Sequence, residues 1–187
     1  MTKRIILAVS GSISAYKSAD LTSKLKKKGY DIHVIMTEAA QAFIPPLTLQ
    51  VLSKNPVHTD VMEEKLAERI NHIDLAKETD LFIVAPASAN TIAKLAHGMA
   101  DNMLTATALA LPSTTPKLIA PAMNTKMYEN PLTKKNLKTL QEVGYQEIRP
   151  KSGLLACGDT GRGALADIDV IIEAIDSALT RKGVYDE

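Results

Sequence analysis

The stretch Arg4-Ile5-Ile6-Leu7-Ala8-Val9-Ser10-Gly11-Ser12-Ile13-Ser14-Ala15 decides the architecture of this chain. Ile5 to Val9 are apolar without alternation, as in a strand covered on both faces. The run stops at Ser10-Gly11-Ser12, and small polar residues then open a helix. On that helix Ser14, Ser18, Leu21 and Leu25 share one face, and Gly29 follows a lysine-rich last turn. The same grammar recurs at Ile32 to Met36, Leu81 to Ala85 and Lys117 to Ala120. Helical patterns lie between and after these runs: 91–110, broken near Gly98; 131–143, opened by Pro131 and stopped by Gly144; and 167–182, with Gly183 after it. Strands alternating with helices predict an α/β fold with a parallel sheet and right-handed crossovers. Residues 150–165, rich in glycine around Cys157, read as a long functional loop.

Composition narrows the function classes. The 187 residues carry 22 Lys and Arg against 21 Asp and Glu, a net charge of +1, and 45% are hydrophobic. That balance excludes a disordered chain and lacks the basic excess of a nucleic-acid binder. No apolar run is long enough to cross a membrane, and the N-terminal run ends too early for a signal peptide. The length, with no linker-like tract, predicts a single domain over 1–187. Cys157 is the only cysteine, so no intrachain disulfide forms, which suits a reducing, cytoplasmic location.

Ligands of open α/β sheets bind beyond the carboxyl ends of the strands. Ser10 to Ala15 fits neither the dinucleotide nor the P-loop pattern, and suits one phosphate, or equally a serine cap without a ligand. Thr37 offers a hydroxyl to the same phosphate, or caps the helix through Ala42; Glu38 keeps a ribose contact of NAD open. Pro86-Ala87-Ser88-Ala89-Asn90-Thr91 lets a planar ligand approach the backbone, or carries a Ser88 or Asn90 cap. In Pro121-Ala122-Met123-Asn124-Thr125-Lys126-Met127-Tyr128, the methionines suit a core, but the Asn124 amide must find partners. His33, His58 and His97 read as structural or solvated, whereas His72 before the third strand is a candidate for proton exchange. No His or Cys cluster has metal-ligand spacing, so no metal is expected. A Cys157–His72 hydrolase lacks its nucleophile elbow.

Taken in order, Gly11-Ser12-Ile13-Ser14-Ala15-Tyr16-Lys17, His72, Pro86 to Thr91, Gly98-Met99-Ala100-Asp101-Asn102, Pro121 to Met127 and Ala156-Cys157-Gly158 resemble the homo-oligomeric flavin-dependent cysteine decarboxylases. The resemblance covers essentially the whole chain. It implies a flavodoxin-like (Rossmann-like) three-layer fold and FMN held at a subunit interface, within trimers or dodecamers. It implies that Gly11, Ser12, Ile13 and Thr37 bind the cofactor, mainly its phosphate, and that Phe43, Ser88, Ala89, Asn90, Thr91 and Ala122 contact the flavin. His72, Asn124 and Cys157 would be catalytic, and Asn124, Met127, Ala156, Cys157 and Gly158 would meet the substrate. Relatives commonly have tryptophan where Tyr128 stands and Arg-Met where Ala164-Leu165 stands.

The implied reaction converts 4'-phosphopantothenoylcysteine to 4'-phosphopantetheine in coenzyme A biosynthesis. Oxidation of the thiol to a thioaldehyde places a C=S group β to the carboxylate, so carbon dioxide can leave. The enethiol that remains is then reduced, with no net oxidation. A separate phosphopantothenate–cysteine ligase is the implied pathway partner. A peptidyl-cysteine decarboxylase of the same fold and a noncatalytic FMN-binding regulatory subunit are the alternatives.

Overall fold

Apolar runs that must be covered on both faces become neighbouring parallel strands. The computed structural model describes residues 2–63, 71–154, 158 and 160–185. The chain runs β1 (Arg4–Val9), a 3-10 turn (Ile13–Tyr16), α1 (Lys17–Lys27), β2 (Asp31–Met36), α2 (Glu38–Gln41), α3 (Pro46–Ser53) and β3 (Val57–His58). It continues through α4 (Asn71–Glu78), β4 (Leu81–Ala87), α5 (Ala89–Ala96), α6 (Met103–Leu109), β5 (Lys117–Pro121), α7 (Thr125–Glu129), α8 (Pro131–Glu142) and β6 (Tyr145–Glu147). Last come β7 (Lys151–Leu154), β8 (Thr160–Ala164) and α9 (Ile168–Tyr185).

Six strands form one sheet in the order β3-β2-β1-β4-β5-β6, and every pairing in it is parallel. Ile5, Leu7 and Val9 pack on one face with Leu21 and Leu25 of α1, Leu49 of α3 and Ile171 and Ile175 of α9. Ile6 and Ala8 face the other way, with Phe82, Val84, Ile92, Leu104, Leu137 and Leu140. Burial of both faces explains the continuous hydrophobicity of β1, β2, β4 and β5. The arrangement is the expected three-layer, flavodoxin-like (Rossmann-like) α/β fold, with the 3-2-1-4-5-6 strand order of the Rossmann type. Among the described residues, no helix is long and apolar enough to cross a membrane.

Several elements depart from the sequence reading. β3 and β6 have only two and three residues and lie at the sheet edges, where no apolar run marks them. His58 therefore lies in a strand rather than a connection. The last helix continues through Gly183 to Tyr185 instead of stopping before it. The segment read as a loop is largely an antiparallel hairpin, β7 with β8, which forms its own two-stranded sheet.

That hairpin lies against the loop after β5. Met123 N–H donates to Gly163 O at 2.9 Å. A Cβ on Gly163 would overlap the Met123 carbonyl oxygen, and one on Gly161 would overlap the Thr125 hydroxyl. Gly163 is thus required by close approach of two backbones, and Gly161 by the Thr125 side chain packed against it.

At the opposite, amino end of the sheet, Asp31 ties three segments together. Asn55 Nδ2 donates to Asp31 Oδ1 at 2.9 Å, Arg4 Nε donates to Oδ2 at 3.1 Å, and His33 Nε2 lies 3.0 Å from Oδ2. Burial alone raises the Asp31 carboxyl, but the hydrogen bonds from Asn55, His33 and Arg4 override it and hold the pKa down to about 2.

Two outcomes are expected. A depressed folded-state pKa contributes stability that is complete above the ordinary carboxylate range and lost as pH falls through about 2. Asp31→Asn therefore lowers stability at neutral pH and flattens its decline between about pH 4 and pH 2, read by urea unfolding across that range. Gly163→Ala costs about 1–3 kcal/mol in the same assay, because the methyl must displace the hairpin or the β5 loop; an unchanged midpoint would show that the two backbones have room.

Candidate functional site

Strand order reverses between β1 and β4: the chain moves one way through β2 and β3, and the other way through β5 and β6. A crevice opens at such a switch point, beyond the carboxyl ends of the strands. Here the two strand ends are bound together by Ser10, which is fully buried. Its Oγ donates to Pro86 O at 2.8 Å and accepts from Ser88 N–H at 2.8 Å, while its own N–H donates to Pro86 O at 3.2 Å.

The residues that follow each strand close a helical turn. Ser12 accepts from Ser14 N–H at 3.2 Å, Thr37 from Ala40 N–H at 3.2 Å, and Ser88 from Thr91 N–H at 3.2 Å. Asn124 caps α7, its Oδ1 accepting from Lys126 N–H at 2.8 Å. The capping readings of the sequence are thus realised. They do not exclude ligand contact, because three of these caps also line a cleft.

That cleft measures about 450 Å³ and runs along the ends of β1, β4 and β5. Gly11, Ser12, Ile13, Ser88, Ala89, Ala122, Asn124 and Met127 all line it. Eight residues singled out from sequence, on three separate segments, therefore converge. The volume lies in the usual range for small-molecule pockets. Small side chains at Gly11, Ala89 and Ala122 leave backbone accessible to a flat ring, and Ser12, Ser14 and Ser88 supply hydroxyl groups. Gly11 itself sits against α2: a Cβ there would lie 2.6 Å from the Ala39 Cβ. The residues present therefore fit a planar cofactor with a phosphate tail.

Thr37, Phe43, Asn90, Thr91 and His72 do not line this cleft. Thr37 stands two residues before Ala39, at the margin of the first loop. Phe43 is 47% exposed, Asn90 is exposed on the first turn of α5, and Thr91 is buried beneath it. His72 lies half-buried on α4, with Nδ1 shielded from solvent and without a hydrogen-bond partner among the described residues. Ala156 and Cys157 fall outside the described residues, and Gly158 stands in the same β7–β8 connection with φ +87.

Other lining residues were not assigned from sequence: Ser14, Tyr16, Lys17, Met123, Gly163 and Ala164. Tyr16 and Lys17 follow the first loop directly, and their place in that stretch was the only hint. Tyr128 is 3% exposed and belongs to the core. Its hydroxyl donates to Glu147 Oε1 at 2.7 Å, and Lys134 Nζ lies 3.4 Å from its ring centroid. Burial, then that bond to Glu147, pushes the Tyr128 phenol well up.

Comparison with known proteins agrees with this geometry. The chain is 64% identical over 179 residues to a probable phosphopantothenoylcysteine decarboxylase of Streptococcus mutans, covering 96% of this chain and 100% of that protein. It is 49% identical over 171 residues to the coenzyme A biosynthesis bifunctional protein CoaBC of Bacillus subtilis, covering 91% of this chain and 42% of that longer protein. Among solved structures, a Cys-to-Ser mutant of PPC decarboxylase complexed with pantothenoylaminoethenethiol superposes with a TM-score of 0.86 at 34% identity, covering 94% of this chain and 97% of that one. The FMN binding protein AtHal3 superposes with a TM-score of 0.83 at 35% identity, covering 94% and 96%. The Flavoprotein family profile matches residues 1–180. With its strand-end loops gathered into a cleft of this shape, the chain belongs to the Flavoprotein family.

Proposed function

We propose that this chain is a carboxy-lyase that decarboxylates 4'-phosphopantothenoylcysteine to 4'-phosphopantetheine with FMN as its cofactor. The observation that carries this reading is the convergence of Gly11, Ser12, Ser88, Ala89 and Ala122 with Asn124 in one cleft. The S. mutans relative, similar over its whole length, favours this substrate over a peptide. Held by the loops after β1 and β4, a bound flavin would supply a reversible two-electron acceptor for the substrate thiol.

The chain's own residues position the substrate and handle its protons. Gly11, Ser12 and Ile13, with Thr37 beside them, hold the cofactor phosphate through amides and hydroxyls. Ser88, Ala89 and Ala122 let the ring lie close to backbone; Phe43, Asn90 and Thr91 complete the cofactor site. Asn124 Oδ1 accepts from Lys126 N–H, and the amide orients the substrate carboxylate through its NH₂. Met127 flanks the same cleft. His72 exchanges the proton that brings the substrate into its reactive state. Cys157, with Ala156 and Gly158 around it, donates a proton in the final reduction. A thiol of ordinary pKa, about 8.5, is mostly protonated at neutral pH and suits that role.

The domain spans 1–187 and works in the cytoplasm as a trimer or dodecamer. Ile13, Phe43, Leu47 and Val51 are exposed apolar side chains near the first loop and on α3, and such surfaces favour self-association. The substrate is the product of a phosphopantothenate–cysteine ligase.

Purified protein is expected to be yellow, to release FMN on denaturation, and to form carbon dioxide and phosphopantetheine from phosphopantothenoylcysteine. Colourless protein unable to take up FMN would overturn the assignment. Asn124→Asp keeps the cap on α7 but loses the NH₂ and adds a repelling charge. It should lower kcat/KM by at least about 100-fold while FMN stays bound. Cys157→Ser should release carbon dioxide yet accumulate the enethiol, detected by mass spectrometry; normal formation of phosphopantetheine would remove Cys157 from the mechanism.

A further inference from the structure

The cleft that holds Asn124 does not end at the cofactor loops. A second cleft, of about 240 Å³, adjoins it and is lined by Tyr16, Lys17, Asp20, Ala166, Asp167 and Ile168. Among the described residues, only Tyr16 and Lys17 line both, so they stand at the junction. Lys17 is half-buried as the first residue of α1, directly after the 3-10 turn.

Charge bookkeeping around Lys17 distinguishes it from its neighbours. The two carboxylates of the second cleft already have partners. Asp20 Oδ2 lies 3.4 Å from Lys24 Nζ, and Asp167 pairs with Lys151. Among the described residues Lys17 forms no ion pair. Its Nζ lies 5.9 Å from the centroid of the Tyr16 ring, a contact at the outer limit of cation–π range. Asp167 is held below its ordinary value chiefly by its hydrogen bond to Lys151, with the Lys17 charge a smaller contribution. A lysine is a point charge on a flexible stem, suited to a phosphate that arrives with the ligand.

This inference rests on the proposed substrate, whose two ends are chemically different: a cysteine carboxylate and a phosphate. Asn124 meets the first. We propose that Lys17 meets the second, and that it selects phosphorylated over unphosphorylated substrate. The pantothenoyl chain then lies along the first cleft past Met123 and Met127, and the phosphate sits where the two clefts join.

The test uses full-length, FMN-loaded protein with two substrates, phosphopantothenoylcysteine and its dephosphorylated counterpart. For Lys17→Gln, the ratio of their kcat/KM values should fall about 10–100-fold, carried mainly by KM for the phosphorylated substrate. Lys17→Arg should recover much of that preference. An unchanged ratio, or an equal loss with both substrates, would overturn the proposal. So would loss of bound FMN, read from visible absorbance, because Lys17 would then serve the cofactor phosphate instead. If the wild-type protein turned over neither substrate, the proposed activity itself would fail, a result distinct from an unaltered ratio.

Discussion

Two parallel strands that lie side by side and then send their chains in opposite directions leave an opening between them. In this protein the opening falls between β1 and β4, and Ser10 bridges it. A buried hydroxyl is costly unless both its donor and acceptor capacities are used. Ser10 uses both on the backbone of the neighbouring strand end, at Pro86 and Ser88. This fixes the Gly11–Ser14 loop relative to the start of α5. The cleft is thus built on strand ends held by main-chain hydrogen bonds rather than on freely moving loops.

Around that frame, each segment contributes one kind of chemistry. The first loop and the start of α5 present small residues and hydroxyls, the surface a flat anionic cofactor needs. The end of β5 presents Asn124, whose amide is oriented by its own helix cap. The β7–β8 hairpin lies over the β5 loop because Gly163 lets backbone meet backbone and Gly161 leaves room for the Thr125 side chain. In sequence Cys157 falls between β7 and β8, and β8 is tied to the Asn124 segment through Gly163. Lys17, on the far side of the first loop, adds a charge that no other described residue lining the first cleft carries.

Much of this was legible from sequence where a local rule acts alone. β1, β2, β4 and β5 announce themselves because burial on both faces demands an uninterrupted apolar run. Gly29 and Gly144 stop α1 and α8 as read, each with positive φ. β3 and β6 carry no such mark: they are short edge strands, and their pairing is imposed by neighbours. The hairpin was misread because glycines that permit close packing look the same in sequence as glycines that loosen a loop. Tyr128, which stands in the Asn124 motif, faces the core and Glu147, a destination set by α8 and β6.

By itself, then, the sequence determined the layered α/β class, the segments after the strands as ligand-bearing, and the family resemblance. Those follow from residue types and short-range spacing. Tertiary structure alone decided which of those segments share a cleft. It left Phe43 and His72 outside that cleft in the single chain, and it placed Lys17 at the junction of two clefts. The physical reason is that convergence depends on strand order and on where backbones can touch. Neither is encoded within any one stretch of residues; both emerge only when distant segments satisfy one another's hydrogen bonds and buried faces.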